Sequence, residues 1–119
     1  MFNFNHFNFN VLDLKRSLEF YDKALGLKPV REKRGDDYTL VYLGDGRTDF
    51  QLELTYMHDH KEPYNLGEVE YHLALSTDDM EASRKLHDEL GCICFVNEAM
   101  GIYFIEDPDG YWIEIVPQK

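Results

Sequence analysis

The series strand, amphipathic helix, strand, strand, strand can be read off the first half of this 119-residue chain, and it returns in the second half. Adding 66 to His6 gives His72, and adding 66 to Asp13 and Ser17 gives Asp79 and Ser83. The period is longer than that of usual solenoid repeats, and two copies are too few to stack into one. Paired units rich in antiparallel strands are better explained as sheets closing around a shared cleft. The expected architecture is therefore α+β, one domain built of tandem βαβββ modules.

The boundaries follow from periodicity and punctuation. FNFNHFNFN, residues 2 to 10, alternates with the period of a strand until His6 breaks the phase. Phe2 and Phe4 share a face with His6; beyond it Phe7 and Phe9 take the opposite face, while Asn8 and Asn10 join the histidine. Leu14, Leu18, Tyr21 and Leu25 then form a helical stripe, with Asp13 as N-cap and Gly26 closing the helix. PVREKR, DYTLVYLGD and TDFQLELTY read as strands, the last two joined by a Gly-Asp-Gly hairpin turn. Module one spans 1–57, a polar linker with Pro63 and Gly67 spans 58–68, and module two spans 69–119. In module two VEYHLALST is a strand containing His72. DDMEASRKLHDELG is a helix with Met80, Leu86 and Leu90 inward and Asp78 with Glu81 as a capping box. ICFVNEA, GIYFIED and YWIEIVP are strands, and Asp-Pro-Asp-Gly at 107–110 is a turn.

Each unit also ends alike, with Glu53 in FQLELTY and Glu114 in YWIEIV. A carboxylate in an apolar strand is costly unless solvent, a cation or hydrogen bonds compensate it. Any one of them could simply face solvent. Two at equivalent places, each matched by a histidine of the unit's first strand, point instead to His6, Glu53, His72 and Glu114 as a ligand set. Two imidazoles and two carboxylates suit a borderline divalent ion with positions left open for water or substrate. His6 would then face the cleft, with Asn8 and Asn10 lining a polar pocket and Phe7, Phe9 and Val11 turned inward beneath the helix. His58-Asp59-His60 has the look of a metal clip, but its polar linker is expected to be solvated. His87, among Lys85, Asp88 and Glu89, is expected on the surface.

Charge and composition narrow the partners. A net charge of −11 and a pI near 4.7 argue against nucleic acid. No apolar run approaches the roughly 20 residues needed to span a bilayer, and no basic-then-apolar leader is present at the N-terminus. Cys92 and Cys94 are expected as two buried free thiols in a reducing, cytoplasmic setting. No phosphate-binding glycine loop or Ser/His/Asp signature is present.

The stretches HFNFNVLDLKRSLEFYDKALGLKPVRE, LELTY, YNLGEVEYHLALST and FIEDPDGYWIEIV resemble the glyoxalase I (lactoylglutathione lyase) family of the vicinal-oxygen-chelate superfamily, from about residue 5 to residue 117. The resemblance implies a homodimer acting on a small molecule, with His6 and Glu53 of one subunit joining His72 and Glu114 of the other. It implies one divalent ion per site, Ni²⁺ or Co²⁺ in short chains and Zn²⁺ in longer ones. It also implies isomerisation of the hemithioacetal of methylglyoxal and a thiol to the lactoyl thioester, with Glu114 as principal base and Glu53 its counterpart. Three departures fall where glutathione is held in the family. Asn10 stands where an arginine is usual, Met57 where an asparagine is common, and CICFVNEAMGIYF lacks the usual basic loop. The thiol is accordingly left open between glutathione and another small thiol. Alternative readings within the superfamily are an acyl-CoA epimerase, a thiol transferase, or a non-catalytic binding and resistance module.

Overall fold

The computed structural model describes residues 1–119, which fold as two units, Met1–Tyr64 and Asn65–Lys119. Each unit is one helix on one four-stranded sheet, so the α+β expectation of tandem βαβββ modules is met.

In the first unit, β1 (His6–Asn10) leads to α1 (Leu14–Leu25), then β2 (Lys28–Arg34), β3 (Tyr38–Gly44) and β4 (Gln51–Met57). The sheet order is β1-β4-β3-β2, with β1 and β4 parallel and the other pairs antiparallel. Alternation decides what each strand buries. Phe9, Val11, Val41, Leu43, Leu52 and Leu54 point to one side, where Tyr21 and Ala24 of α1 join them in the core. Their neighbours in sequence, His6, Asn8, Asn10, Glu53 and Thr55, are left on the other side. Asp13 caps α1 by accepting from the Arg16 amide at 3.1 Å, and Gly26 ends it with a φ of 66°. The buried line of α1 runs Ser17, Tyr21, Ala24, with Leu14, Leu18 and Leu25 half-buried along its margins.

The second unit repeats this topology. Its elements are β5 (Leu73–Thr77), α2 (Met80–Glu89), β6 (Ile93–Asn97), β7 (Ile102–Glu106) and β8 (Trp112–Pro117), in the order β5-β8-β7-β6. Tyr103, Ile105, Ile113 and Ile115 form its core, and the Asp107 carboxylate holds the final turn by accepting from the amides of Asp109 and Tyr111.

Several sequence expectations are corrected. The first strand begins at His6, and Phe2 and Phe4 are fully exposed. β4 gives β1 its only partner and starts opposite His6; the Gln51 amide donates to the Asn5 carbonyl, and nothing remains for earlier residues to pair with. Phe7 is 39% exposed rather than inward, meeting only the edge of Phe9 among the aromatic rings. His72 lies just before β5 rather than within it. The N-cap of α2 is Asp79, not Asp78, its side chain accepting from the Ala82 amide at 3.0 Å. Leu86 and Leu90 face outward and His87 is buried, because the inward line of α2 repeats that of α1: adding 66 to Ser17 and Tyr21 gives Ser83 and His87. The loop after β3 is longer than a tight hairpin and is held by Asp45, which accepts from Arg47 and Thr48.

Candidate functional site

Strand pairing brings the sequence-predicted residues together two by two. In the first unit β1 runs beside β4, and His6 Nε2 lies 3.7 Å from Glu53 Oε2. In the second, β8 runs beside β5, and His72 Nε2 lies 3.4 Å from Glu114 Oε1. Both pairs stand on the sheet face away from the core. The imidazoles keep 38% and 42% of their side-chain surface, against 13% and 18% for the carboxylates. The nitrogens are thus reachable from solvent, while each carboxylate is shielded by its neighbours on the strand.

The shielding is asymmetric. Thr55 donates to Asn8 and, at 3.3 Å, to Glu53 Oε1, and Asn8 donates to Asn10 at 2.8 Å. His6 Nδ1 is 2.6 Å from the Asn5 side-chain oxygen, a contact that orients the ring with Nε2 toward Glu53. Met57 ends β4 on the same face, half-buried. Asn8, Asn10 and Met57 therefore share the face of the His6–Glu53 pair. In the second unit Ala74 stands opposite Glu114 where Asn8 stands opposite Glu53, and no hydroxyl takes the place of Thr55, whose counterpart is Val116.

Two aromatic residues belong to these pairs that sequence reasoning did not single out. Tyr42 is the register partner of Glu53 on β3, and Phe104 that of Glu114 on β7. Each meets its histidine edge to face, at 5.7 Å for His6–Tyr42 and 5.0 Å for His72–Phe104. Hydrogen bonding to Glu53, then burial, raises the Tyr42 hydroxyl above its ordinary pKa, so it remains a donor to the carboxylate. The signal was in the strand register: each aromatic residue lies as far from the turn before the last strand as its glutamate lies beyond it.

Other candidates resolve as structure. His58 and His60 are not solvated. His58 Nε2 lies 2.8 Å from the Thr39 hydroxyl, and the His60 ring stacks on Tyr64 at 3.9 Å. His87 Nδ1 bonds the Tyr103 hydroxyl at 2.6 Å. Cys92 and Cys94 are free thiols; Cys92 is half-buried and Cys94, at a bulge in β6, is exposed rather than buried. Partial burial and the Glu106 charge push the Cys94 thiol up to about 11, so it is protonated at neutral pH. Within neither unit do three or more His, Cys, Asp or Glu side chains gather as a metal cluster; each unit offers one pair. No helix is long and apolar enough to cross a membrane.

This arrangement, a repeated βαβββ unit carrying a histidine and a glutamate on its outer sheet face, places the chain among known folds. A model of the Glyoxalase/Bleomycin resistance protein/Dioxygenase superfamily matches residues 3–115, and the chain belongs to that superfamily. Within it, the similarity is to glyoxalase I. The lactoylglutathione lyase of Escherichia coli O157:H7 is 36% identical, the alignment covering 96% of this chain and 91% of that one. That of Neisseria meningitidis serogroup A is 38% identical over 96% and 89%. The solved glyoxalase I of Leishmania major, described as trypanothione-dependent, aligns with a TM-score of 0.87 at 32% identity, over 98% of this chain and 87% of that one. A glyoxalase I mutant of Zea mays aligns at 0.85 and 29% identity over 97% of this chain and 45% of that larger one. The chain is a glyoxalase I-like lyase.

Proposed function

We propose that this enzyme isomerises the hemithioacetal of methylglyoxal and a small thiol to the lactoyl thioester, using one divalent ion held by His6, Glu53, His72 and Glu114. The observation that carries the reading is the repeated His–Glu pair, two donors 3.4–3.7 Å apart on the outer sheet face of each unit. The donor set fits a borderline divalent ion, with nickel or cobalt preferred and zinc accepted: imidazole nitrogen and carboxylate oxygen from each unit, with no thiolate among them. A homodimer in which one subunit supplies His6 and Glu53 and the other His72 and Glu114 would complete the set.

Such an ion, when bound, supplies Lewis acidity that offsets the charge developed when a C–H beside a carbonyl ionises, worth several kcal/mol. The protein supplies the proton traffic. Glu114 takes the proton from the hemithioacetal carbon and returns it to the adjacent one; no electrons enter or leave, and the product differs from the substrate only in the place of two hydrogens. Glu114 is suited to this because, apart from the His72 contact that matches His6 on Glu53, its partners on the sheet, Ala74 and Phe104, offer no side-chain hydrogen bond. Glu53, by contrast, accepts from Thr55 and has Tyr42 as its register partner, which fits a more static role. The decisive experiment is turnover of methylglyoxal hemithioacetals, formed with a panel of thiols, by protein stripped of metal and reloaded with Ni²⁺, Co²⁺ or Zn²⁺. Activity should vanish on stripping and return on loading; no turnover with any ion or thiol would refute the reading.

A further inference from the structure

The outer sheet face of the first unit carries more polar chemistry than the His6–Glu53 pair uses. In register across it stand Asn8, Glu53, Tyr42 and Arg31. The Arg31 guanidinium carbon lies over the Tyr42 ring, 4.0 Å from its centre, and Tyr42 in turn is the register partner of Glu53. Lys28 and Arg34 on the same strand are paired with Asp22 and Glu32. Arg31 makes no ion pair with any carboxylate of the chain. The equivalent row of the second unit is Ala74, Glu114, Phe104 and Phe95, with Trp112 5.3 Å from Phe104. The two units repeat in fold and diverge here in chemistry, one row polar and cationic, the other aromatic.

Every residue of β2 is exposed, and the strand is the edge of its sheet. On a chain of net charge −11, an anion approaching the face of Glu53 is repelled unless a cation is held nearby. A guanidinium held over an aromatic ring can still direct N–H groups at both oxygens of a carboxylate.

We propose that Arg31 is a specificity-determining residue that receives a carboxylate of the thiol half of the substrate, supplying from β2 the positive charge that the uncharged Asn10 does not supply from β1. The inference rests on the hemithioacetal reading, and it deepens that reading: methylglyoxal has no carboxylate, so the anionic group belongs to the thiol. Tyr42 acts as a positioning residue, its ring holding the guanidinium on the outer face one strand over from Glu53.

S-Methylglutathione, which has the carboxylates of glutathione and no reactive thiol, is the probe, titrated calorimetrically into metal-loaded full chain. Arg31→Met should weaken its binding by about tenfold or more, and Arg31→Lys, which keeps the charge and loses the planar fork, by an intermediate factor. The dimethyl ester of the probe should show little preference between wild type and Arg31→Met, which separates a lost charge contact from a distorted site. Equal affinity of both proteins for the diacid overturns the proposal, as does absence of binding to wild type; should Arg31→Met fail to fold, Arg31→Lys against wild type decides the same point. Wild-type turnover of the hemithioacetal made with uncharged 2-mercaptoethanol is measured alongside. Turnover there without discrimination of the diacid overturns Arg31 and leaves the isomerase; discrimination of the diacid with no turnover of any hemithioacetal in the thiol panel leaves Arg31 and overturns the isomerase.

Discussion

Glu53 and Glu114 occupy the same place in their units and are dressed differently. Glu53 accepts from Thr55 and stands opposite Tyr42, whereas the strand neighbours of Glu114 are Ala74 and Phe104. That contrast is the ground for proposing Glu114 as the mobile base. Glu114→Gln keeps the size and one ligating oxygen but loses basicity, so turnover should fall by more than the ~10²–10⁴ typical of losing a general base. Metal affinity, read by titration with a competing chelator, should fall far less. Glu53→Gln should cost less in turnover, and a Glu114→Gln protein retaining a third of wild-type activity would place the proton elsewhere. His6, Glu53, His72 and Glu114 were legible in the sequence because each sits at a repeat-related position. Tyr42 and Phe104 could have been found by reflecting each glutamate across the turn before its strand, whereas Arg31 could not, because linear spacing does not display a register interrupted by a bulge between Pro29 and Arg31.

Helix α2 shows how an element can be found and its phase missed. Apolar spacing selected Met80, Leu86 and Leu90, yet the buried position is His87, whose ring is satisfied by the Tyr103 hydroxyl. Hydrophobic periodicity cannot register a buried polar residue whose partner lies 16 residues away on another element; the repeat could, since His87 takes the place of Tyr21. Tyr103→Phe removes that partner and should destabilise the fold by about 1–3 kcal/mol, read from urea unfolding at pH 7. Burial, and after it the nearby Cys92, push the Tyr103 hydroxyl from 10.0 up to about 12. Between those values the unfolded chain gives up this proton and the folded chain keeps it, so folded-state stability should decline as pH rises from 10 toward 12. The urea midpoint of wild type should drop over that range more steeply than that of Tyr103→Phe, and parallel slopes would count against the assignment.

At the scale of the molecule, a ligand set drawn from two subunits makes a distinctive prediction. His6→Ala and His72→Ala chains should each be inactive, yet co-refolding them in equal amounts should restore about a quarter of wild-type activity, since half the dimers are mixed and each mixed dimer keeps one intact site of two. No recovery would place all four ligands within one chain. Tandem βαβββ architecture and the members of each pair were readable from the repeat; the pairing of a unit's first strand with its last was not, because parallel neighbours leave no turn between them to read. That pairing also orders events in time. His6 and its register partner Gln51 stand 45 residues apart, and in the second unit Leu73 meets Ile113 across 40. Such non-local closure is slow relative to helix formation and is complete only when a unit's last strand docks. During synthesis the imidazole of His6 emerges long before the carboxylate of Glu53. A half-made unit therefore exposes a single imidazole, and its histidine meets its glutamate only when the sheet is finished.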